Sequence, residues 1–123
     1  MKPDQLLISA LQITSLHTDY IAALQKKRVN AVAYEFYKDS SGSIPIIRSM
    51  SEIAGSTCML IAAEYLSSAN GGKGEMLGGI SGIPPTEVVI IGAGTVGEFA
   101  ARAALGLGAS VKVFDNSLYK LRR

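Results

Sequence analysis

Residues 86–115, TEVVIIGAGTVGEFAARAALGLGASVKVFD, leave a chain of this kind few folds to choose from. Val88–Ile91 is a short β-branched run, the mark of a strand buried on both faces. Gly92-Ala93-Gly94-Thr95-Val96-Gly97 follows at once. A helical period comes next, with Val96, Phe99, Ala100, Ala103, Ala104 and Leu107 on one stripe, and Gly106 and Gly108 close it. Val111–Phe114 is a second apolar strand, with Asp115 at its end. This order of strand, glycine turn, helix, strand and acid predicts a parallel βαβ unit built to hold a dinucleotide.

Each residue type has a physical reason to be there. Gly92 permits the tight turn out of the strand. Gly94 carries no side chain that would keep a pyrophosphate from the backbone, and Gly97 lets the helix lie close to the sheet. Free amides at the helix start, together with its dipole, attract phosphate. Asp115 stands where a carboxylate can accept from a ribose 2′-hydroxyl. The same negative charge would repel a 2′-phosphate, so NAD is expected over NADP. The bland alternative is a glycine turn that serves packing alone.

Upstream, Leu6–Leu11 reads as a strand. Thr18 can cap a helix from about Asp19 to Arg28, and Val29–Tyr34 reads as a further strand, making another βαβ unit. A polar loop over 38–43 leads to Pro45. Ser49 and Glu52 fit a capping box, predicting a helix from about Met50 to Ser68 with Met50, Ile53, Ala54, Thr57, Cys58, Ile61 and Tyr65 on its packed face, ended by Asn70-Gly71-Gly72. Residues 71–85, rich in glycine, read as an ordered loop or a crossing between domains. Asn116 or Ser117 can cap a last turn, Leu118–Arg122.

The fold class is therefore α/β, with Rossmann-like parallel βαβ units that are incomplete. The expected division is 1–48 as part of one domain, 49–85 as a linking helix and loop, and 86–123 as the first βαβ of a dinucleotide-binding domain. No strands follow to complete the nicotinamide half, so the chain is expected to be a piece of a larger enzyme. Its open sheet edges would favour pairing between chains, and a homo-oligomer is expected.

Composition narrows the functional classes. A net charge of +2 supplies no strong basic field, which argues against nucleic acid. The one basic run, Lys26-Lys27-Arg28, falls at a helix end where cations suit the dipole. A single cysteine, Cys58, cannot form an internal disulfide and suits a reducing cytoplasm; packing is its expected role. No metal-ligand cluster is apparent, and no unbroken apolar run approaches the ~18 residues of a membrane span.

In AVAYE (Ala31–Glu35), IPIIRSMSEIAG (Ile44–Gly55), LGGISGIPPTEVVIIGAGTVG (Leu77–Gly97) and VKVFDNSLYKLR (Val111–Arg122), the chain resembles the alanine dehydrogenase family, which shares its fold with the α subunit of proton-translocating transhydrogenase. The resemblance implies that residues 6–34 belong to a substrate domain and that the helix over 50–69 leads to the NAD domain and joins subunit contacts. It matches Ser51 to a cofactor-contacting serine, Thr95 and Val96 to residues over the pyrophosphate, Asp115 to the ribose acid and Lys120 to a basic residue near the adenosine. Ser51 has the alternative of a plain first-turn helix residue, and Lys120 that of a solvated lysine.

One position departs from the pattern. Gln12 stands where the family carries its catalytic histidine, and a glutamine cannot exchange a proton near neutral pH. The lone histidine, His17, reads as a surface or capping residue. No catalytic residue is assigned within the chain: the family's substrate-gripping arginine and lysine would precede it, and the catalytic aspartate would follow. The resemblance implies a parent oxidising L-alanine to pyruvate and ammonia with NAD, and a segment inactive by itself. Alternatives from other classes are hydride transfer between two nucleotides, as in transhydrogenase, and a non-catalytic nucleotide-binding or assembly module.

Overall fold

The structure, a computed structural model, describes residues 1–12, 15 and 17–122. It divides into two compact units, Met1–Ser49 and Met50–Arg123.

In the first unit, β1 (Leu6–Ser9) pairs in parallel with β2 (Asn30–Ala33), Leu6 opposite Asn30 and Ser9 opposite Ala33, and α1 (Thr18–Lys26) connects them. Both strands are shorter than the sequence predicts. Among the described residues each has one neighbour, so the flanking residues find no second ladder to join. His17 is the extended residue before α1 and its side chain makes no capping bond; Thr18, expected at the cap, is already helical. Lys26 sits in the last turn of α1, as its charge suits. Arg28 bends left-handed and pairs with Asp4 at 2.8 Å. The buried apolar side chains of this unit, among the described residues, are Leu11 and Leu24. A short 3₁₀ turn, Tyr34–Phe36, follows β2.

α2 runs from Pro45 to Leu66 and so begins earlier than the capping box predicts. Pro45 supplies a preset φ and has no amide to satisfy, which suits the first helical position. The Ile44 carbonyl already accepts from the Arg48 amide. Ser49 therefore lies inside the helix, its Oγ donating to the Pro45 carbonyl. By length and composition α2 is long and apolar enough to cross a membrane, with mean hydropathy 1.2, and few of its residues are buried. Counting unbroken apolar residues overlooks this, because Arg48, Ser51 and Glu52 interrupt the run without breaking the helix.

The second unit contains β3 (Glu87–Ile91), α3 (Thr95–Gly106), β4 (Ser110–Phe114) and α4 (Leu118–Leu121). β3 and β4 are parallel, with Glu87 opposite Ser110 and Ile91 opposite Phe114. Its core gathers Met59, Leu77, Ile90, Ala100, Ala104 and Ala109.

The packed helical faces match the predicted stripes in part: Ala100, Ala103 and Ala104 of α3 and Cys58 of α2 meet the core as expected. On α3 the buried line is Gly97, Ala100 and Ala104, whereas Val96 and Leu107 are more than two-fifths exposed. On α2 the buried residues are Gly55 and Met59, while Ile53, Ile61 and Tyr65 stand exposed. Glycines set the closest approach on both helices, because at Gly55 and Gly97 the neighbouring backbone leaves no room for a side chain. A Cβ on Gly55 would collide with the Val96 carbonyl and lie 2.8 Å from Phe99 Cβ.

The glycine-rich stretch is no slack linker. A 3₁₀ turn (Ser68–Asn70) ends at left-handed Gly71. The chain then docks on the far end of the βαβ unit: the Gly79 amide donates to the Leu107 carbonyl, the Thr86 amide to Gly78, and Thr86 Oγ1 to the Met76 carbonyl at 2.6 Å. Leu77 is buried in the core.

Candidate functional site

The glycine turn opens at the carboxyl end of β3, where ligands bind in open parallel sheets. Gly92 sits at φ +107, a conformation that a side chain strains, and its amide donates to the Phe114 carbonyl at 2.6 Å. The turn is thus tied across to β4. A Cβ on Gly97 would collide with the Gly92 carbonyl and reach Ile90 Cγ2 at 3.4 Å. This residue keeps α3 against the strand. Gly94 has neither constraint: its backbone is extended, unlike that of Gly92, and a Cβ there would meet nothing within 4 Å, unlike one at Gly97. The space beside it is open to a ligand.

Gly94 is also the cap residue of α3 and, having no side chain, makes no side-chain cap bond. Its carbonyl accepts from the Glu98 amide, which begins the helical ladder. The first-turn amides at Thr95, Val96 and Gly97 precede that ladder and have no intrahelical partner. They are the donors a diphosphate would need.

A groove of about 460 Å³ runs along this turn, and Ser51, Gly92, Gly94, Thr95, Val96 and Gly97 are among the residues that line it. Ser51 comes from α2, one turn before Gly55, whose missing side chain brings that helix onto α3. Gly55 was not among the residues singled out as functional from sequence. Its signal is a glycine within a helix that otherwise continues without a break, a position that often marks close backbone packing. Cys58 also lines the groove; its Sγ donates to the Gly55 carbonyl, and it packs against the core.

Asp115 turns toward the glycine loop. Its Oδ2 accepts from the Ala93 amide and its Oδ1 from the Ser117 amide, both at 2.7 Å. Lys120 Nζ stands 3.6 Å from Oδ2; the Asp115 side chain is 6% exposed and that of Lys120 47%. The Ala93 amide foremost, then the Ser117 amide, hold this carboxyl below the ordinary 3.8, while partial burial opposes them and Lys120 adds to them. The carboxylate therefore has a local task that spacing did not reveal: it braces the loop to the end of β4. Lone pairs beyond these two bonds remain for a sugar hydroxyl. Lys120 also borders a cavity of about 290 Å³ with Ala93, Gly97, Glu98 and Arg102.

Gln12 lies in the other unit. It is exposed and left-handed, at φ 46. His17 is exposed and no side-chain bond marks it as a cap. Among the described residues, no group of three or more His, Cys, Asp or Glu could hold a metal ion.

A parallel βαβ whose helix starts at an open glycine turn defines a Rossmann-like unit. Residues 58–123 match the family profile described as "Alanine dehydrogenase/PNT, C-terminal domain", and the chain belongs to that family. Among its relatives, an alanine dehydrogenase of Mycolicibacterium smegmatis is 44% identical over 101 residues, 82% of this chain and 27% of that protein. One from Methanococcus maripaludis is 39% identical over 120 residues, 98% of this chain and 32% of that protein. A solved L-alanine dehydrogenase superposes with a TM-score of 0.87 at 38% identity, over 99% of this chain and 34% of that one. The chain thus spans about a third of the length of the relatives it matches.

Proposed function

We propose that this chain is the part of an NAD-dependent alanine-dehydrogenase-like oxidoreductase that holds the ADP half of the cofactor. The observation that carries the proposal is the groove in which Ser51 and the first turn of α3 meet beside Gly94, where a Cβ would find only open space. In this reading the amides of Thr95, Val96 and Gly97 receive the diphosphate, with Ser51 beside them. Asp115 accepts from the adenosine ribose, and Lys120 lies near the adenosine. The acid at 115 favours NAD over NADP. When bound, NAD supplies the hydride acceptor. The balanced reaction takes L-alanine, NAD⁺ and water to pyruvate, ammonium, NADH and a proton. The substrate is a small amino acid or keto acid, the protein is cytoplasmic, and it works as a homo-oligomer. We read α2 as a packing helix rather than a membrane span, because Gly55 and Met59 are buried in the second unit.

By itself the 123-residue chain is expected to bind ADP-ribose and AMP weakly and to reduce no NAD with alanine. Calorimetric or NMR titration with NAD, AMP and ADP-ribose tests the first point. No saturable binding at millimolar ligand would leave an assembly role, and sustained turnover by the chain alone would refute the division of labour. Gln12 favours a second reading, hydride transfer between two nucleotides, because it cannot serve as an acid or base. Alanine-dependent NAD reduction by the longer polypeptide that carries this sequence separates the two.

A further inference from the structure

β1 and β2 are parallel, so both deliver their exits to one edge, the carboxyl edge at which open α/β sheets bind ligands. Past β1 the chain runs through Ala10 and Leu11 to Gln12. Past β2 it enters the 3₁₀ turn that carries Glu35. One carboxylate oxygen joins the two exits. Glu35 Oε1 accepts from the Leu11 amide at 2.8 Å and from the Gln12 amide at 2.7 Å. Gln12 holds φ 46, which a residue with a side chain adopts at a cost. The bend separates neighbours: Leu11 is 8% exposed and buried, and Gln12 is exposed. The Gln12 carbonyl is also fixed, accepting from the Ser15 amide and from Ser15 Oγ.

The other oxygen, Glu35 Oε2, is enclosed and has no donor among the described residues. Partial burial works to raise the Glu35 carboxyl, but its own amide and those of Gln12 and Leu11 prevail and hold it below the ordinary range. The group is thus an ionised carboxylate with one oxygen spent on the bend and the other without a partner among the described residues. Leaving a buried oxygen unpaired costs stability, and such groups ask for an explanation beyond packing.

We propose that Glu35 is a positioning residue: through Oε1 it imposes the left-handed bend that sets Gln12 outward at the carboxyl edge of β1 and β2. The proposal rests on the reading above only in treating that edge as the substrate end. Because Oε1 alone makes the brace, an amide oxygen can replace it and a methyl group cannot.

The test is ¹H–¹⁵N NMR of the full chain. In the parent, the Leu11 and Gln12 amide shifts are expected to titrate together, below the usual glutamate range. In Glu35→Gln that titration vanishes while both amides keep their slow exchange to within about threefold. In Glu35→Ala exchange at both amides accelerates at least tenfold. Gln12→Gly, which removes the cost of the positive φ, is expected to shrink the loss of denaturation midpoint caused by Glu35→Ala. Should Glu35→Ala not fold, the titration in the parent and its absence in Glu35→Gln decide the matter. Unchanged exchange in Glu35→Ala, amide shifts indifferent to pH in the parent, or equal midpoint losses with Gln and Gly at position 12 would each overturn the proposal. None of these readouts depends on nucleotide binding or alanine turnover, so failure of the enzymatic reading is seen separately.

Discussion

Gly94 and Gly97 lie three positions apart in one motif, yet their missing side chains do different things. At Gly97 a methyl would strike the Gly92 carbonyl, so Gly97→Ala should destabilise the second unit by about 1–3 kcal/mol. At Gly94 a methyl would meet open space on an extended backbone. Gly94→Ala should therefore leave unfolding in urea within about 0.5 kcal/mol of the parent. The same substitution should weaken ADP-ribose at least tenfold, about 1.4 kcal/mol, if phosphate comes up against that backbone. Equal affinity in parent and Gly94→Ala would remove the diphosphate from this turn. Asp115 makes a third test. Its carboxyl is held below the ordinary 3.8, so its contribution is fully present above that value and is lost as pH falls through the lower, folded value. The stability difference between the parent and Asp115→Asn should be constant near neutrality and shrink as the pH drops below about 4. Acid titrations of unfolding, followed by circular dichroism, would show it.

At the scale of elements, size rather than hydrophobicity chose the packed faces. A sequence stripe counts Ile53, Ile61 and Tyr65 as core because they are apolar and correctly spaced. The helix turns Gly55, Met59 and Ala62 inward along with the expected Cys58, since at Gly55 a side chain would strike the start of α3. Gly55→Leu is accordingly expected to cost more than Ile53→Ala, although the latter removes far more apolar surface. Urea midpoints of the two variants settle the order; a larger loss at Ile53 would mean that the exposed stripe is packed after all. The βαβ at 86–115 was legible because its glycines, strands and acid report local geometry. The true start of α2 was less so, because a proline and a capping box competed to begin it and the proline lay first.

At the scale of the whole molecule, the large apolar side chains left outside are the telling quantity. Ile91 is 90% exposed, Tyr65 75%, Ile53 66% and Leu60 65%. Each sheet has two strands, which seldom suffice for independent stability. The 12.9 kDa chain is therefore expected to sediment as a species heavier than one copy at micromolar concentration. A single monomeric boundary across that range would remove the homo-oligomer from the proposal.

What the amino-acid order determined by itself was the glycine turn and its membership of a parallel βαβ. A tight exit, a bare backbone, a close helix and an acid after the next strand are demands made over short distances, and each names its residue type. Only the tertiary structure decided which helical faces met, that Asp115 spent two bonds on the loop, and that Glu35 reached back to the exit of β1. Those outcomes depend on which backbones approach closely and which amides are left without a partner, and spacing along a chain records neither.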